Sequence, residues 1–330
     1  MKAVVLSAYG DVDVLGLVEV TNPVPGPEEV LVSIAATALN RADLLQRRGL
    51  YPSPALAGFV PPAPEIPGME FSGRVVGFGD RVTSWSVGDE VMGIVGGGSY
   101  AEQLVIHEHQ LMRLPSGVSV ADAAAIPEVA ITAFDALVVQ GGLTSGRTAL
   151  VHAGASGVGT AAIQLCKAIG ARVIVTASAG KLDACRDLGA DLAVDYATQD
   201  FVAECAAFTK GAGVDVVLDV IGGDYVDKNI AAARVGGRIV QVGTMGGGRT
   251  EVNIGMMLPK RVALIGTVLR ARPLAEKIAL TQRFAAEVLP LYDIGVIRPV
   301  IDSRYRLSAI ADAHAYMETN ANVGKILIDI

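Results

Sequence analysis

The sequence predicts an α/β protein in which a β-rich domain accompanies a domain built on a doubly wound parallel sheet. Two observations predict this fold class. Before about residue 122, short β-branched segments alternate with turn residues. From about residue 148, apolar strands alternate with amphipathic helices, a pattern typical of a parallel sheet that helices cover on both faces.

Composition and charge exclude several classes of function. The chain has 330 residues, of which 51% are hydrophobic, and a formal net charge of -7 without a cluster of Lys and Arg. These values give no electrostatic footprint for nucleic acid or for an anionic membrane. The three cysteines, Cys166, Cys185 and Cys205, fit neither a disulfide framework nor a zinc-binding spacing. We therefore expect a protein of the reducing cytoplasm. The N-terminus resembles neither a signal peptide nor an anchor.

The N-terminal part is predicted to form a mostly antiparallel sheet. The segments EEVLVSIAATAL, FSGRVVGFGD and VTSWSVGDEVMGI are expected strands. The Gly79-Asp80 and Gly88-Asp89 pairs are expected turns between them. The stretch YPSPALAGFVPPAPEIPG, residues 51–68, contains six prolines. It cannot be a regular element, and we expect a loop over a cleft.

A glycine-rich segment, HAGASGVG at residues 152–159, lies between the first strand and the first helix of the parallel domain. Glycines there let the backbone approach a pyrophosphate, and the helix N-terminus supplies unpaired N–H groups. The residues predicted to bind the dinucleotide here are Gly154, Ser156, Gly157, Val158 and Gly159. The spacing is GxxGxG and not GxGxxG, so a plain turn in a flavodoxin-like domain is the alternative.

The end of the second strand indicates which dinucleotide binds. An NAD-selective site usually places an acidic residue there to bind the ribose 2′-hydroxyl. Here the strand ends VIVTAS, with Ser178 and then Lys181. A hydroxyl and an ammonium suit a 2′-phosphate, and Tyr196, after the third strand, adds a third donor. The prediction is NADPH; the alternative is that Ser178 caps the next helix and Lys181 is solvated.

The sequence also resembles a known protein family along its whole length. The stretches ALNRADLLQRRG, AAAIPEVAITAFDAL, HAGASGVGTAAIQL, FTKGAGVD, GTMGGG and NVGKI are similar to zinc-independent quinone oxidoreductases of the medium-chain dehydrogenase/reductase superfamily, closest to their p53-inducible type. The resemblance implies a GroES-like catalytic domain formed by residues 1–122 and 265–330. It also implies a Rossmann NADPH-binding domain at residues 123–264, with the cleft between the two domains.

The resemblance also implies roles for individual residues. Asn40 and Tyr51 match residues on the quinone side of the nicotinamide, and they are the predicted catalytic residues. Ser178, Lys181 and Tyr196 match the 2′-phosphate site. The further positions that match cofactor contacts are Thr132, Gly243, Thr244, Met245, Leu269, Arg270 and Asn322.

The sequence lacks most of the zinc ligands found in related enzymes, and this affects the expected chemistry. Zinc-dependent members of the superfamily carry a catalytic Cys near the position of Asn40, a His where this chain has Met69, and a lobe of four cysteines. Of the ligand set only Glu70 remains. Without thiolate or imidazole ligands a tetrahedral zinc site cannot be built there, so no metal is expected.

A quinone accepts a hydride readily because its product is aromatic, so the protein has mainly to align the two reactants. We expect Asn40 to donate a hydrogen bond near the acceptor and Tyr51 to close over it and supply a proton. The alternatives are that Asn40 fixes its loop and that Tyr51 packs in a proline-rich lid. We expect Glu128 to organise the junction between the domains and not to act as a catalytic acid or base.

The predicted function is NADPH-dependent reduction of a small-molecule quinone. Two alternatives stay open. One is reduction of an enoyl thioester or enone by the same fold and hydride donor; the other is a non-catalytic, crystallin-like protein that binds NADPH. The apolar segment RVALIGTVL follows the last strand of the parallel sheet. An exposed edge of this kind is usually paired or covered, and family members pair it across a two-fold axis, so we expect a homodimer.

Overall fold

The structure is a computed structural model that describes residues 1–51 and 65–330. These residues form two compact units, Met1–Ile131 with Leu269–Ile330, and Thr132–Val268. The boundaries expected from the sequence lie after residues 122 and 264. Most of the predicted proline-rich loop, residues 52–64, lies outside the described residues. The predicted fold class is confirmed, since one unit is β-rich and the other is built on a parallel sheet.

Strands and helices are numbered in chain order. The strands are β1 (Lys2–Leu6), β2 (Leu15–Glu19), β3 (Glu29–Ala38), β4 (Glu70–Phe78), β5 (Glu90–Ile94), β6 (Gln103–His107), β7 (Leu111–Arg113), β8 (Thr148–His152), β9 (Arg172–Ala177), β10 (Leu192–Asp195), β11 (Val214–Asp219), β12 (Ala233–Gln241), β13 (Ala263–Gly266), β14 (Ile301–Arg306) and β15 (Lys325–Asp329). The helices are α1 (Arg41–Arg47), α2 (Pro127–Phe134), α3 (Gly157–Ala168), α4 (Leu182–Asp187), α5 (Phe201–Phe208), α6 (Tyr225–Ala232), α7 (Ile254–Lys260), α8 (Leu274–Glu287), α9 (Leu289–Asp293) and α10 (Ile310–Glu318).

The second unit contains a parallel sheet in the order β10-β9-β8-β11-β12-β13. Every residue of β8 is buried, as a strand covered on both faces requires. Leu150, Ile174 and Val217 from three neighbouring strands form the centre of one core cluster. From β8, the chain adds β9 and β10 on one side of the sheet and then β11, β12 and β13 on the other. Ligands of such sheets bind at the carboxyl ends of the strands, beside the point between β8 and β11 where this direction changes.

The first unit contains a sheet in the order β14-β15-β3-β4-β5-β7, with β6 also paired to β3. Its pairs are antiparallel except for β14 and β15, which are parallel. The register of β3 with β4 shifts at two points, and such bulges bend a strand and increase its twist. The C-terminal strand β15 lies between β14 and β3, and its first residue, Lys325, contacts Leu39 and Asn40 from the N-terminal part of the chain.

No helix within the described ranges 1–51 and 65–330 has the length and apolar character needed to cross a membrane.

Two glycines of β4 provide a test of strand packing in the first unit. A Cβ on Gly73 would lie 2.1 Å from the carbonyl oxygen of Ser33, whereas a Cβ on Gly77 would meet Leu31 at 3.8 Å, an ordinary contact. We expect Gly73→Ala to destabilise the protein by about 3 kcal/mol because β3 must move. We expect Gly77→Ala, the matched control, to change stability by less than about 0.5 kcal/mol. The urea concentration at the unfolding midpoint measures the stability of each variant. Equal shifts for the two variants would contradict the close approach of β3 to Gly73.

Candidate active site

Two glycines of the predicted nucleotide loop are required by close packing. A Cβ on Gly154 would lie 2.6 Å from the Cβ of Val175 in β9, and a Cβ on Gly159 would lie 2.4 Å from the carbonyl oxygen of Ala153. A side chain at either position would therefore push α3 away from the sheet. Ala153 itself has a φ of 56°, in the left-handed region that favours glycine.

Ser156 begins helix α3. Its backbone is extended, and its Oγ accepts a hydrogen bond of 3.1 Å from the backbone N–H of Gly159. Gly157 and Val158 are the first two residues of α3, so their N–H groups have no acceptor within the helix. The five residues predicted to bind the dinucleotide thus lie together at a helix N-terminus, which favours an anion.

The three residues predicted for the 2′-phosphate follow two neighbouring strands. Ala177 of β9 is paired in register with Asp195 of β10, so Ser178 and Tyr196 leave the sheet at the same edge. Tyr196 is 53% exposed, and Ser178 and Lys181 are half-buried. The Ser178 hydroxyl makes no capping bond to the following turn, so its alternative role as a cap is not observed.

The loop after β12 contains Gly243, Thr244 and Met245. The backbone N–H of Met245 donates to Val220 O at 3.1 Å, and the Gln241 side chain donates to Gly243 O at 2.6 Å. This loop is therefore fixed beside the end of β11, at the same edge of the sheet as the nucleotide loop.

A buried hydrogen-bond chain at this edge was not predicted from the sequence. One Asp219 oxygen accepts from Ile221 N at 2.6 Å and from Gly222 N at 3.0 Å, and the other accepts from Asn229 at 2.8 Å. Asn229 Oδ1 lies 2.7 Å from Nε2 of His152. Burial lowers the pKa of His152, so the ring is neutral at physiological pH. These hydrogen bonds hold the loop after β11 in place.

In the first unit, Asn40 belongs to a buried ion cluster with Glu70 and Lys325. The Lys325 ammonium lies 2.7 Å from Glu70 Oε1 and donates to Asn40 Oδ1 at 2.7 Å and to Leu39 O at 2.6 Å. The Asn40 amide donates to Glu70 Oε1 at 2.9 Å and to Ala38 O at 3.3 Å. Both amide hydrogens of Asn40 thus have acceptors within the chain, which favours the alternative in which Asn40 fixes its surroundings.

A second buried polar row adjoins the cluster and was not predicted either. Asp43 accepts from the Asn40 backbone N–H at 2.8 Å and from the Tyr100 hydroxyl at 3.1 Å. Tyr100 OH lies 3.3 Å from His314, whose other ring nitrogen faces the Arg47 guanidinium at 3.4 Å. Burial raises the pKa of Asp43 to about 6, and burial and Arg47 lower the pKa of His314 to about 3. This row joins helix α1 to α10.

The first unit also contains an open pocket of about 380 Å³. Its lining is mainly apolar and includes a single carboxyl and three cationic side chains. The described residues that line it are Met69, Ile94, Val95, Glu128, Ile131, Leu269, Arg270, Arg272, Lys277, Leu280 and Thr281. Apolar walls with a few polar groups are typical of sites for small organic molecules.

Arg270 connects the pocket to Tyr51. Its guanidinium carbon lies 5.2 Å from the centre of the Tyr51 ring, and its Nε donates to Gly96 O at 2.6 Å. Burial and the nearby Glu128 raise the pKa of Tyr51 to about 12, so the phenol keeps its proton at physiological pH. The structure thus brings Tyr51, Leu269 and Arg270 to one region of the first unit.

The remaining predicted residues are buried. Thr132 lies in α2 and is 7% exposed, and Asn322 is 9% exposed. The Asn322 amide donates to Gly324 O at 2.9 Å, two residues further on. It therefore shapes the turn that leads into β15 and Lys325.

Within residues 1–51 and 65–330, no group of three or more His, Cys, Asp and Glu side chains is arranged to hold a metal ion. By the resemblance, Met69 stands where the zinc-dependent enzymes have a His, and Asn40 stands near the position of their Cys. A thioether and an amide whose hydrogens are already bonded do not form a tetrahedral zinc site.

The second unit fits a nicotinamide dinucleotide. Its parallel sheet has the strand order of dinucleotide-binding domains, and the loop at the switch point leads into the N-terminus of α3, whose first N–H groups can bind a pyrophosphate. Gly154 to Gly159 would hold the pyrophosphate, and the loop at 243–245 would follow the cofactor. Ser178, the residue after β9, has no carboxylate to repel a 2′-phosphate.

Comparison with known proteins agrees with this architecture. Residues 26–116 match the alcohol dehydrogenase GroES-like domain, and residues 157–285 match the domain family described as zinc-binding dehydrogenase. The human synaptic vesicle membrane protein VAT-1 homolog is 33% identical over 346 residues, which cover 99% of this chain and 86% of that protein. The NADPH-dependent alkenal/one oxidoreductase of Arabidopsis thaliana is 32% identical over 99% of this chain and 79% of its own length.

A solved structure is similar over the full chain. The quinone oxidoreductase of Pseudomonas syringae pv. Tomato superposes with a TM-score of 0.89 at 30% identity, and the match covers 100% of this chain and 99% of that one. With both domain families in order and relatives above 30% identity along nearly the whole length, this chain belongs to the medium-chain dehydrogenase/reductase superfamily of oxidoreductases.

Proposed function

We propose that the protein reduces quinones with NADPH and needs no zinc to do so. The observation that carries the proposal is the pocket of the first unit, whose described lining is mainly apolar, holds one carboxyl and contains neither thiol nor imidazole. Such a pocket suits a flat, conjugated carbonyl compound better than an alcohol, because alcohol oxidation needs a Lewis acid or strong base for the hydroxyl proton. The solved quinone oxidoreductase of the same fold supports this assignment.

We assign the cofactor as NADPH on the chemistry at the ends of β9 and β10. Ser178, Lys181 and Tyr196 offer two hydroxyls and an ammonium, and charge-assisted hydrogen bonds to a phosphate are among the stronger polar contacts in proteins. The alkenal/one oxidoreductase relative is named as NADPH-dependent, which supports the same choice. When bound, the cofactor supplies the hydride.

The protein then has to hold the acceptor and balance its charge. Tyr51 adjoins the pocket through Arg270, whose guanidinium carbon lies 5.2 Å from the centre of the tyrosine ring, and the role of Tyr51 as a lid over the acceptor remains a proposal. A direct hydrogen bond from Asn40 to the acceptor also stays a prediction. The contacts of Asn40 with Glu70 and Lys325 support a positioning role for it.

Reduction of alkenals and enones is the second candidate function. It is favoured by the alkenal/one oxidoreductase relative, which shares the full length of this chain. Quinones and enones both present a carbon–carbon double bond conjugated to a carbonyl, so one pocket can serve either. A non-catalytic NADPH-binding role is the remaining alternative.

We also propose that the protein is a cytoplasmic homodimer. Its three described cysteines are free and buried, as in a reducing compartment. Strand β13 is at the end of its sheet and pairs within the chain only with β12, with Leu264 exposed; a second copy would cover this edge. Sedimentation equilibrium distinguishes dimer from monomer. Closeness to the p53-inducible type of quinone oxidoreductase stays a prediction.

The acceptor is tested by following NADPH oxidation with an ortho-quinone, a para-quinone, an enone and a crotonyl thioester, each repeated with NADH. We expect quinone turnover with NADPH and a kcat/KM for NADPH at least about tenfold above that for NADH, since one charge-assisted bond contributes about 1.5–3 kcal/mol. Turnover of the enone alone would replace the proposal by the second candidate. NADPH binding without turnover would favour the non-catalytic role.

The 2′-phosphate site is tested with Lys181→Ala. Loss of the ammonium is expected to raise KM for NADPH about tenfold or more and to leave KM for NADH unchanged, because only NADPH carries the extra phosphate. Lys228→Ala, which removes an exposed lysine from α6, is the control and should alter neither constant. An unchanged preference for NADPH over NADH in Lys181→Ala would show that the phosphate binds elsewhere.

A further inference from the structure

Two neighbouring glutamates of the first unit differ in how their carboxyl groups are surrounded. Glu70, the first residue of β4, is wholly buried, and its carboxylate receives bonds from Lys325 at 2.7 Å and Asn40 at 2.9 Å. Its second oxygen accepts the backbone N–H of Glu128 at 2.8 Å. Glu70 is thus compensated as an anion by a cation and two further donors.

Among residues 1–51 and 65–330, no cation is paired with the Glu128 carboxyl as Lys325 is with Glu70. It lies in the first turn of α2, half-buried, and lines the apolar pocket. The three ammonium hydrogens of Lys325 are already directed at Glu70, Asn40 and Leu39. The charge that acts most strongly on the Glu128 carboxyl is that of Glu70, to which Glu128 donates its backbone N–H at 2.8 Å.

These surroundings decide the protonation state of Glu128. Burial, and then the charge of Glu70, raise its pKa to about 8, with a smaller contribution from Asp43; Lys325 and Arg270 act in the opposite direction. The other cations that line the pocket are Arg272 and Lys277. At pH 7 most Glu128 side chains therefore carry a proton, and a protonated carboxyl in a pocket can serve as a general acid.

We propose that Glu128 is the proton donor of the reduction, a role that rests on the function proposed above. Each turnover delivers a hydride and consumes one proton, and Glu128 is the acid that lines the pocket. As the acceptor carbon receives the hydride, the Glu128 O–H bond breaks and a new O–H bond forms on the acceptor oxygen. The carboxylate left behind regains its proton from water. For an enone the same proton passes to the carbon next to the carbonyl.

This assignment differs from the sequence-based one, which placed Glu128 at the domain junction and gave the proton to Tyr51. The Tyr51 phenol, with a pKa of about 12, is a far weaker acid than Glu128, with a pKa of about 8. A catalytic acid is most effective when its pKa lies near the working pH, so Glu128 is the better placed group.

The kinetic test compares Glu128→Gln, Glu128→Asp and Glu276→Gln with the wild type. Glutamine keeps the size of the side chain and cannot give up a proton, so kcat should fall about 100-fold or more.

Wild-type kcat should be constant at lower pH and fall as pH rises through about 8, because only the protonated acid acts. Glu128→Gln should lack this fall. Glu128→Asp should retain it, and Glu276→Gln, an exposed first-turn glutamate of α8, should match wild type.

A stability titration gives a readout independent of turnover. The folded pKa of Glu128, about 8, lies above its ordinary value of 4.5, so the folded state binds its proton more tightly than the unfolded chain. The resulting stabilisation is present in full below pH 4.5 and is lost as pH rises through 8. Relative to Glu128→Gln, the unfolding midpoint of the wild type should therefore decrease over this range and then stay constant.

Three results would overturn the assignment. They are a kcat for Glu128→Gln within about threefold of wild type, a fall of kcat that persists in that variant, and a difference in unfolding midpoint that does not depend on pH. A wild type that reduces none of the acceptors would instead overturn the proposed function and the donor role with it. The two failures are distinct, because in the first case the wild type and Glu128→Gln turn over alike.

Discussion

The buried ion pair between Lys325 and Glu70 is the interaction on which the first unit depends. Their side chains are 3% and 0% exposed, and the charged atoms are 2.7 Å apart. Burying either charge alone would cost several kcal/mol, so each requires the other. Lys325 begins β15 and Glu70 begins β4, on opposite sides of β3 in the sheet. The pair therefore fixes the C-terminal segment to the N-terminal strands, and Asn40 joins both charges through its amide.

The same pair contributes to the electrostatics of the pocket at Glu128. Because Lys325 directs its three hydrogens at Glu70, Asn40 and Leu39, none remains for Glu128. Burial raises the pKa of Glu128 most, the charge of the Glu70 carboxylate adds to this effect, and the charge of Lys325 acts in the opposite direction. A group that stabilises the fold thus helps to keep a neighbouring acid protonated at the pH where the proposed reduction needs a proton. Stability and the proposed chemistry are linked through one carboxylate.

Periodicity in the sequence predicted the parallel sheet because each strand and helix there buries an apolar pattern of its own, as in β8 and α3. The glycine loop was also predictable, since its strand, turn and helix are consecutive. The ion cluster was not, because Asn40 and Lys325 are 285 positions apart and their pairing depends on where β15 enters the sheet. One signal was available: a lysine opens β15 directly before three apolar residues. Glu128 gave no such signal, because its protonation depends on burial and on the charge of Glu70, and both arise only in the fold.

A double-mutant cycle on Lys325→Met and Glu70→Gln tests the central claim most directly. Free energies of unfolding would be measured for the wild type, the two single variants and the double variant. If the buried pair holds the unit together, each single variant loses about 3–5 kcal/mol because it leaves one charge unpaired, and the double variant loses much less than the sum. Losses that simply add would contradict the account, because they would mean that Lys325 and Glu70 stabilise the protein independently.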